Sequence, residues 1–211
     1  MKPLSVLMMR HGQPEGSGLY IGSGSDVPLT PRGREQAHLL AKELGALPFK
    51  QLYSSPLQRC HKTLQPLAQQ LNQTIHIQES LREANFGTWE GESWKSIAQQ
   101  HPQKWEEWMN HPTTTSPPDG ESLIRFQSRT QKGLESILHE AEPGDLLGIC
   151  AHGGTLRTAL SLALSLPPSS FWSARIDYAQ VCHFLVHNQK DWELISWNTH
   201  PSAFSDQNSE K

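Results

Sequence analysis

Short apolar runs alternate along the chain with segments in which apolar residues recur every three or four positions. Runs of the first kind predict six strands, at 5–9, 51–54, 75–77, 146–151, 178–186 and 192–197. Segments of the second kind predict five helices, at 31–44, 57–71, 92–109, 121–141 and 155–166. Strands that alternate with helices indicate an α/β fold with a mostly parallel sheet.

Several local signals sharpen these boundaries. Thr30 followed by Pro31 is typical of a helix start, and Gly45 is placed to end the same helix. Pro66 predicts a kink in the second helix. The stretch HPTTTSPPDGES at 111–122 predicts a loop. We therefore expect one domain over 1–201, in which about 92–141 forms a helical cap, followed by a flexible polar tail at 202–211.

Composition narrows the class of protein. The chain has 211 residues and a net charge of −3, so bulk attraction to nucleic acid is not expected. No apolar run approaches the roughly 18 residues of a membrane span, so no membrane partner is expected. The three cysteines show no paired spacing, which favours reduced thiols and a cytoplasmic location. The oligomeric state stays open.

Two histidines follow two predicted strands directly. His11 comes after the first strand and His152 after the strand LLGICA, and each precedes a glycine that lets backbone approach a ligand closely. Because ligands of parallel sheets bind at the carboxyl ends of the strands, these side chains should converge. Arg10 and Arg59 lie at the same edge, so the set predicts a site for a dianion such as phosphate. A metal site is the other use of clustered histidines, but no HxH, HExxH or CxxC spacing occurs, so no metal or other cofactor is expected.

Four motifs occur together in one order: RHG, SSPLQR, LREANFGTWEG and AHGG. Their order and spacing, from about Leu4 to Trp197, resemble the histidine phosphatase superfamily, the phosphoglycerate-mutase-like group. The resemblance implies a three-layer α/β/α sandwich around a mostly parallel sheet. It also implies that His11 is the nucleophile that becomes phosphohistidine and that Glu83 is the acid for the leaving oxygen. The implied phosphate ligands are Arg10, Arg59, His152 and Gly153, and His152 is implied to be catalytic as well.

The first loop departs from the family pattern. Members of the family that this chain resembles usually carry an asparagine in this loop that contacts phosphate. In this chain no asparagine lies between Gly12 and Thr30. Ser17 or Ser23 is expected to replace it through a hydroxyl group.

The leaving group is less well marked than the phosphate. The segments LYIGSGSDVPLTPRGREQA and PPSSFWSARIDYAQVCHFLV resemble the α-ribazole phosphatases of cobalamin assembly. This likeness implies a small-molecule phosphate ester, α-ribazole 5′-phosphate, as substrate in nucleotide-loop assembly. The alternatives are another small-molecule phosphatase, a phosphoglycerate mutase of the same fold, or a non-catalytic module that binds a phospho-ligand. The last is disfavoured because all five site residues of the motifs are present.

Aromatic residues in and before the cap have two interpretations. Trp94, Trp105 and Trp108 either pack the core of the cap or stack on a benzimidazole ring. Phe86, Trp89 and Trp94 are the expected walls for such a ring. An acidic substrate would instead need a cation near the mouth of the site, for which the candidates are Lys95, Arg125 and Arg175.

Overall fold

A computed structural model describes residues 2–205 of the chain. The strands are β1 (Leu4–Arg10), β2 (Gln51–Ser54), β3 (Ile75–Ile77), β4 (Leu146–Ala151), β5 (Val181–His187) and β6 (Asp191–Thr199). The α-helices are α1 (Pro31–Leu44), α2 (Gln58–Leu71), α3 (Trp94–Gln100), α4 (Pro102–Asn110), α5 (Leu123–His139) and α6 (Gly153–Leu164). Short 3-10 helices span Glu79–Leu81, Gly87–Trp89, Pro168–Ser170 and Pro201–Phe204.

The six strands of the described chain form one sheet in the order β3-β2-β4-β1-β5-β6. Strands β3, β2, β4 and β1 are parallel, β5 is antiparallel to β1, and β6 is antiparallel to β5. Five of these six strands therefore point the same way, and the predicted mostly parallel sheet is confirmed. Arg10 pairs with Ala151 at the end of the β1–β4 ladder, so both strands end at the same edge.

Helices cover both faces of the sheet, as the predicted three-layer sandwich requires. Alternate residues of β1 point to opposite faces, and all of Val6, Leu7, Met8 and Met9 are buried. Val6 and Met8 share a core with residues of α5 and α6, whereas Leu7 and Met9 share one with residues of α1 and α2. Burial on both faces explains why β1 is a continuous apolar run rather than an alternating one.

The predicted start of α1 is present, and a tight turn joins β5 and β6. The Thr30 hydroxyl accepts a hydrogen bond from the Gly33 amide at 3.0 Å, and Pro31 occupies the first turn of α1. Asn188 and Gln189 adopt φ of 53° and 60°, which produces the tight turn between β5 and β6. Helix α6 begins at Gly153, two residues earlier than predicted. His152, which directly follows β4, has extended backbone and is the N-cap residue of the helix.

The cap is smaller than predicted. The expected helix over 92–109 is two helices, since Pro102 cannot continue α3 and the preceding His101 is not helical, with φ −135° and ψ 56°. Helix α5 does not belong to the cap, because Leu134 and Ile137 are buried in the core against the sheet. The excursion therefore consists of α3, α4 and the loops around them.

The prediction of a flexible tail is wrong for residues 202–204. Pro201–Phe204 form a 3-10 helix, and Phe204 is 5% exposed because it packs into the core under α1 and α2. The remainder of the predicted tail, 206–211, lies outside the described residues. The assignment of 1–201 to one domain stays a prediction.

Candidate active site

The carboxyl ends of β1 and β4 bring the two histidines together, as the sequence predicts. The ring centroids of His11 and His152 are 5.2 Å apart, with an angle of 61° between the ring planes. His11 is 4% exposed and His152 is fully buried. Positive charge from Arg10 and Arg59 acts on both imidazoles, so the four predicted side chains occupy one site.

The environment of His11 defines its protonation state. Nδ1 lies 2.8 Å from the Gly12 carbonyl oxygen. Because a carbonyl only accepts, Nδ1 carries the proton and Nε2 keeps a lone pair. Burial first, and then the charges of Arg10 and Arg59, hold the pKa of His11 well below its usual value of 6.5. At neutral pH this imidazole is therefore an uncharged base with its lone pair on Nε2.

His152 is held from the side of α2. Its Nε2 lies 2.8 Å from the Ser55 hydroxyl, and the Cys60 sulfur lies 3.3 Å from the same nitrogen. Burial and the nearby charge of Arg59 lower the pKa of His152 well below 6.5. Ser55 and Cys60 were not predicted as site residues, although both lie within the stretch SSPLQRC that carries Arg59.

Arg59 is the second residue of α2 and is fully buried. Its Nη1 donates to the Ser25 carbonyl at 2.8 Å, and its Nη2 donates to the carbonyls of Gly22 at 3.0 Å and Ile21 at 3.3 Å. Within residues 2–205, its Nε is a buried donor without an acceptor. The guanidinium is therefore fixed at one end and has a donor to offer at the other.

Arg10 is built in the same way. Its Nη1 donates to the Ile176 carbonyl at 2.6 Å, and its guanidinium lies 4.0 Å from the centre of the Tyr178 ring. Burial lowers the pKa of Arg10. Its Nε is also buried without an acceptor in the described part of the chain. An anion beside His11 would satisfy the Nε donors of Arg10 and Arg59 together, which fits a phosphoryl group.

Glu83 lies at the amino end of α6. One carboxylate oxygen accepts from the Gly154 amide at 3.1 Å and the other from the Ala84 amide at 3.0 Å. A Cβ at Gly154 would lie 2.3 Å from the Glu83 carboxylate, so this approach requires glycine. The neighbouring Gly153, a predicted phosphate ligand, lines the same cavity as Glu83 and Arg10.

That cavity has a volume of about 180 Å³ and lies between the sheet edge and the cap. Its polar side chains are Arg10, Glu83, Glu121 and Arg157. Much of the remaining wall is aromatic and comprises Tyr20, Phe86, Trp108, Phe126, Phe171 and Trp172. Within the described residues, the indole N–H of Trp172 is a buried donor without an acceptor. The cavity thus offers apolar walls together with a few donors and two carboxylates.

Arg157 is a cavity residue that the sequence analysis missed. Its Nε donates to the Ala174 carbonyl at 2.8 Å, and its guanidinium lies 5.8 Å from the centre of the Trp172 ring. Burial lowers its pKa, although the charge of Glu83 opposes this shift. No carboxylate of residues 2–205 forms an ion pair with it. Its position four residues after Gly153, on the same helix face, was the available signal.

The expected aromatic walls divide into two groups. Phe86 and Trp108 line the cavity and also pack in the core of the cap, whereas Trp89 and Trp105 belong to that core without lining the cavity. The expectation that Trp94 is a wall is wrong, because this side chain is 54% exposed at the start of α3. Trp105 and Trp108 thus pack the core of the cap, as one interpretation expects. Stacking on a benzimidazole ring stays a prediction, and of the three tryptophans only Trp108 lines the cavity.

None of the three expected cations lines the cavity. Lys95 lies over the exposed ring of Trp94, with 5.7 Å from its Nζ to the ring centre. Arg175 forms an exposed ion pair with Asp177, with 2.8 Å between Nε and the carboxylate oxygen. Arg125 is exposed on α5. The cation that does line the cavity, beyond the phosphate site, is Arg157.

The two predicted serine ligands occupy different places. Ser17 is exposed, and its hydroxyl donates to the Tyr178 hydroxyl at 3.4 Å. The Tyr178 ring centroid is 5.6 Å from that of His11, so Ser17 lies beside the site. Ser23 does not line the cavity that holds Arg10 and Glu83, and it faces a separate surface groove instead.

Between residues 2 and 205, no group of three or more His, Cys, Asp or Glu side chains is arranged to hold a metal ion. No helix in that range combines the length and apolar character needed to cross a bilayer.

Comparison with known proteins gives a consistent result. The family model for the histidine phosphatase superfamily (branch 1) matches residues 6–200. Phosphoserine phosphatase 1 of Hydrogenobacter thermophilus is 28% identical over 194 residues, which cover 91% of this chain and 90% of the relative. The adenosylcobalamin/alpha-ribazole phosphatase of Salmonella typhimurium is 27% identical, with 82% and 86% covered. The crystal structure of the alpha-ribazole phosphatase from Shigella flexneri superposes with a TM-score of 0.80 at 27% identity, covering 92% of this chain and 96% of that one.

Proposed function

Given that the chain belongs to branch 1 of the histidine phosphatase superfamily and is a phosphatase, we propose that it hydrolyses a small-molecule phosphomonoester through a phosphohistidine on His11. The observation that carries this proposal is the state of His11, an uncharged imidazole whose Nδ1 proton is held by the Gly12 carbonyl. Its Nε2 is therefore a competent nucleophile at neutral pH. The buried, unpaired Nε donors of Arg10 and Arg59 give the phosphoryl oxygens a place to bind.

The first step transfers the phosphoryl group to the enzyme. The Nε2 lone pair of His11 forms a bond to phosphorus while the bond from phosphorus to the ester oxygen breaks. The leaving oxygen takes the electron pair of that bond and a proton from the carboxylic acid form of Glu83. Throughout this step the Gly12 carbonyl keeps the Nδ1 proton of His11 in place.

The second step returns the enzyme to its starting state. A water oxygen forms a bond to phosphorus, and the Glu83 carboxylate takes a proton from that water. The bond from phosphorus to Nε2 breaks, and its electron pair returns to the imidazole. The Gly154 amide, which bonds the Glu83 carboxylate at 3.1 Å, orients this group for both proton transfers.

The arginines act on the charge that the reaction redistributes. Arg10 and Arg59 are held by backbone carbonyls before substrate binds, so their charges need little reorganisation. Desolvation strengthens their attraction for the phosphoryl oxygens. The uncharged His152 lies between Ser55 and His11 and completes the wall of the phosphate site.

The first candidate substrate is α-ribazole 5′-phosphate, whose leaving group is α-ribazole. The aromatic wall of the cavity, which includes Phe86, Trp108 and Trp172, suits a flat aromatic base. The unpaired Trp172 N–H is a donor that a ring nitrogen or a ribose hydroxyl of this substrate would accept. Two similar proteins, from Salmonella typhimurium and Shigella flexneri, are named alpha-ribazole phosphatases, which supports the same choice.

A second candidate is phosphoserine, and Arg157 favours it. A partly buried guanidinium without a carboxylate partner among residues 2–205 favours an anionic group on the bound molecule. The carboxylate of phosphoserine would supply that group, whereas the α-ribazole moiety carries no anion beyond its phosphate. The Hydrogenobacter thermophilus relative carries this activity in its name.

A substrate comparison separates the two candidates. The measurement is kcat/KM for α-ribazole 5′-phosphate, phosphoserine and 3-phosphoglycerate, for the wild type and for Arg157→Gln. If α-ribazole 5′-phosphate is the substrate, its kcat/KM should exceed that of the other two compounds at least tenfold. Arg157→Gln should then change this kcat/KM less than threefold. With phosphoserine as the substrate, Arg157→Gln should lower kcat/KM at least tenfold.

The control is Arg125→Gln, which removes an exposed cation that does not line the cavity. A preference of more than tenfold for an acidic substrate corresponds to about 1.4 kcal/mol of transition-state stabilisation and would overturn the α-ribazole assignment. Isomerisation of 3-phosphoglycerate without release of phosphate would favour the mutase alternative instead.

A further inference from the structure

The loop at 21–25 is held between two charged side chains on opposite sides. Arg59 binds its carbonyl groups, as described above. Glu90, which follows the 3-10 helix Gly87–Trp89, binds its donors. The Glu90 carboxylate accepts from the Gly22 amide at 2.9 Å, the Gly24 amide at 3.1 Å and the Ser25 hydroxyl at 2.5 Å. One loop thus satisfies a carboxylate through its donors and a guanidinium through its carbonyls.

A single peptide group connects the two charges most directly. The N–H of Gly22 donates to Glu90, and the C=O of Ile21, on the same peptide group, accepts from Arg59 at 3.3 Å. Hydrogen bonds joined in series through one peptide group polarise each other, and a charge at each end reinforces both. A Cβ at Gly22 would lie 2.3 Å from the Glu90 carboxylate, so the approach is close.

Glu90 has a fourth partner at the base of the cap. It accepts from the Phe86 amide at 3.2 Å, and the Phe86 side chain lines the cavity. Ile21, at the start of the held loop, lines the same cavity. The carboxylate therefore joins the base of the cap, the first loop and, through that loop, the buried guanidinium of Arg59.

We propose that Glu90 is a positioning residue for phosphoryl transfer, which fixes the 21–25 loop and thereby the orientation of the Arg59 guanidinium. The three carbonyl acceptors of Arg59 all lie in this loop. They decide which way the unpaired Nε donor of Arg59 points. The proposal rests on the proposed function in one respect, that Arg59 binds the phosphoryl group.

This role has a distinctive consequence for kinetics. Loss of the Glu90 contacts should weaken binding of the phosphoryl group itself, whatever the leaving group. The expected loss in kcat/KM is therefore similar for p-nitrophenyl phosphate and for an alkyl phosphate ester. Inhibition by inorganic phosphate, which has no leaving group, should weaken by a similar factor.

The experiment is a double-mutant cycle with Glu90→Gln and Arg59→Met. We expect Glu90→Gln to lower kcat/KM for p-nitrophenyl phosphate at least tenfold and to raise the inhibition constant of inorganic phosphate. In the Arg59→Met background the same change should cost less than twofold, because no guanidinium remains to be oriented. Equal losses in both backgrounds would overturn the proposal, since a general structural defect acts whether or not Arg59 is present.

Two further variants make the result specific. Glu92→Gln removes the same charge from an exposed neighbour of Glu90 and should leave kcat/KM within twofold. Ser25→Ala removes one contact to Glu90. This variant tests the positioning role of Glu90 in case Glu90→Gln does not fold. It should weaken phosphate inhibition at least twofold in the wild type and not in Arg59→Met, and no change in the wild type would overturn the proposal. If Arg59→Met itself leaves phosphate inhibition unaltered, the phosphate-binding role of Arg59 in the proposed function fails instead.

Discussion

Acidification to about pH 5.5 should destabilise the protein through two buried imidazoles. His11 and His152 are uncharged in the folded protein, because burial and nearby arginines hold both pKa values well below 6.5. In the unfolded chain each would take up a proton near pH 6.5. The unfolded state therefore binds more protons below this pH, and the free energy of unfolding falls as the pH falls through 6.5.

The magnitude follows from the number of protons. At pH 5.5, one unit below 6.5, each proton that only the unfolded state binds lowers the free energy of unfolding by about 1.4 kcal/mol. His11 and His152 together lower it by about 3 kcal/mol. That is a large fraction of the roughly 5–15 kcal/mol that stabilises a typical domain. His183, whose pKa burial also lowers, acts in the same direction and is common to all variants.

The assay is urea unfolding, followed by tryptophan fluorescence, at several pH values between about 5.5 and 7.5 in phosphate-free buffer. His152→Gln removes one of the two protons and should make the dependence of unfolding free energy on pH shallower by about 1.4 kcal/mol over this range. His38→Gln, which removes an exposed imidazole from α1, controls for the loss of a histidine as such. A wild-type stability that is flat over this range, or an unchanged slope in His152→Gln, would refute the argument.

Three predictions concern the reaction. His11→Asn should lower kcat at least a thousandfold and abolish the acid-labile phosphoenzyme seen after rapid acid quench of the wild type, and a normal rate would remove His11 from the nucleophile role. Glu83→Gln should slow hydrolysis of an alkyl phosphate more than that of p-nitrophenyl phosphate, because nitrophenolate leaves without a proton; equal losses would assign Glu83 to positioning alone. Because two guanidiniums carry the charge that faces the phosphoryl group, phosphate release should survive excess EDTA, and a strict requirement for added Mg²⁺ or Zn²⁺ would contradict this mechanism.

The residues at the strand ends were predictable from the sequence because strand exits in a parallel sheet share one edge. His11 and His152 directly follow or nearly follow short apolar runs, and Arg59 lies in the first turn of the helix after another such run, so local pattern and general topology were enough to bring them together. The break between α3 and α4 could also have been predicted from the sequence, because the position before a proline such as Pro102 disfavours helical backbone.

Other features depend on tertiary contacts that no local pattern encodes. Glu90 lies within the motif LREANFGTWEG, but it contacts a loop 65–68 positions earlier in the chain, and no local pattern predicts that contact. The burial of Phe204 under α1 is of the same kind, because a single aromatic residue in a polar segment is equally compatible with a frayed tail. Arg157 differs, since helical periodicity from Gly153 placed it on the correct face.

The order of strands in the sheet determines when, during translation, β1 can pair with its neighbouring strands. β1 is made first, yet its two neighbours are β4 and β5, which begin at Leu146 and Val181. Until those segments leave the ribosome, the apolar run of β1 has two unpaired edges, and His11 has no His152 beside it. Long-range pairing of this kind folds slowly, and exposed strand edges promote association between chains. A nascent chain that stalls before β4 should therefore depend on chaperones to keep β1 from pairing with another copy.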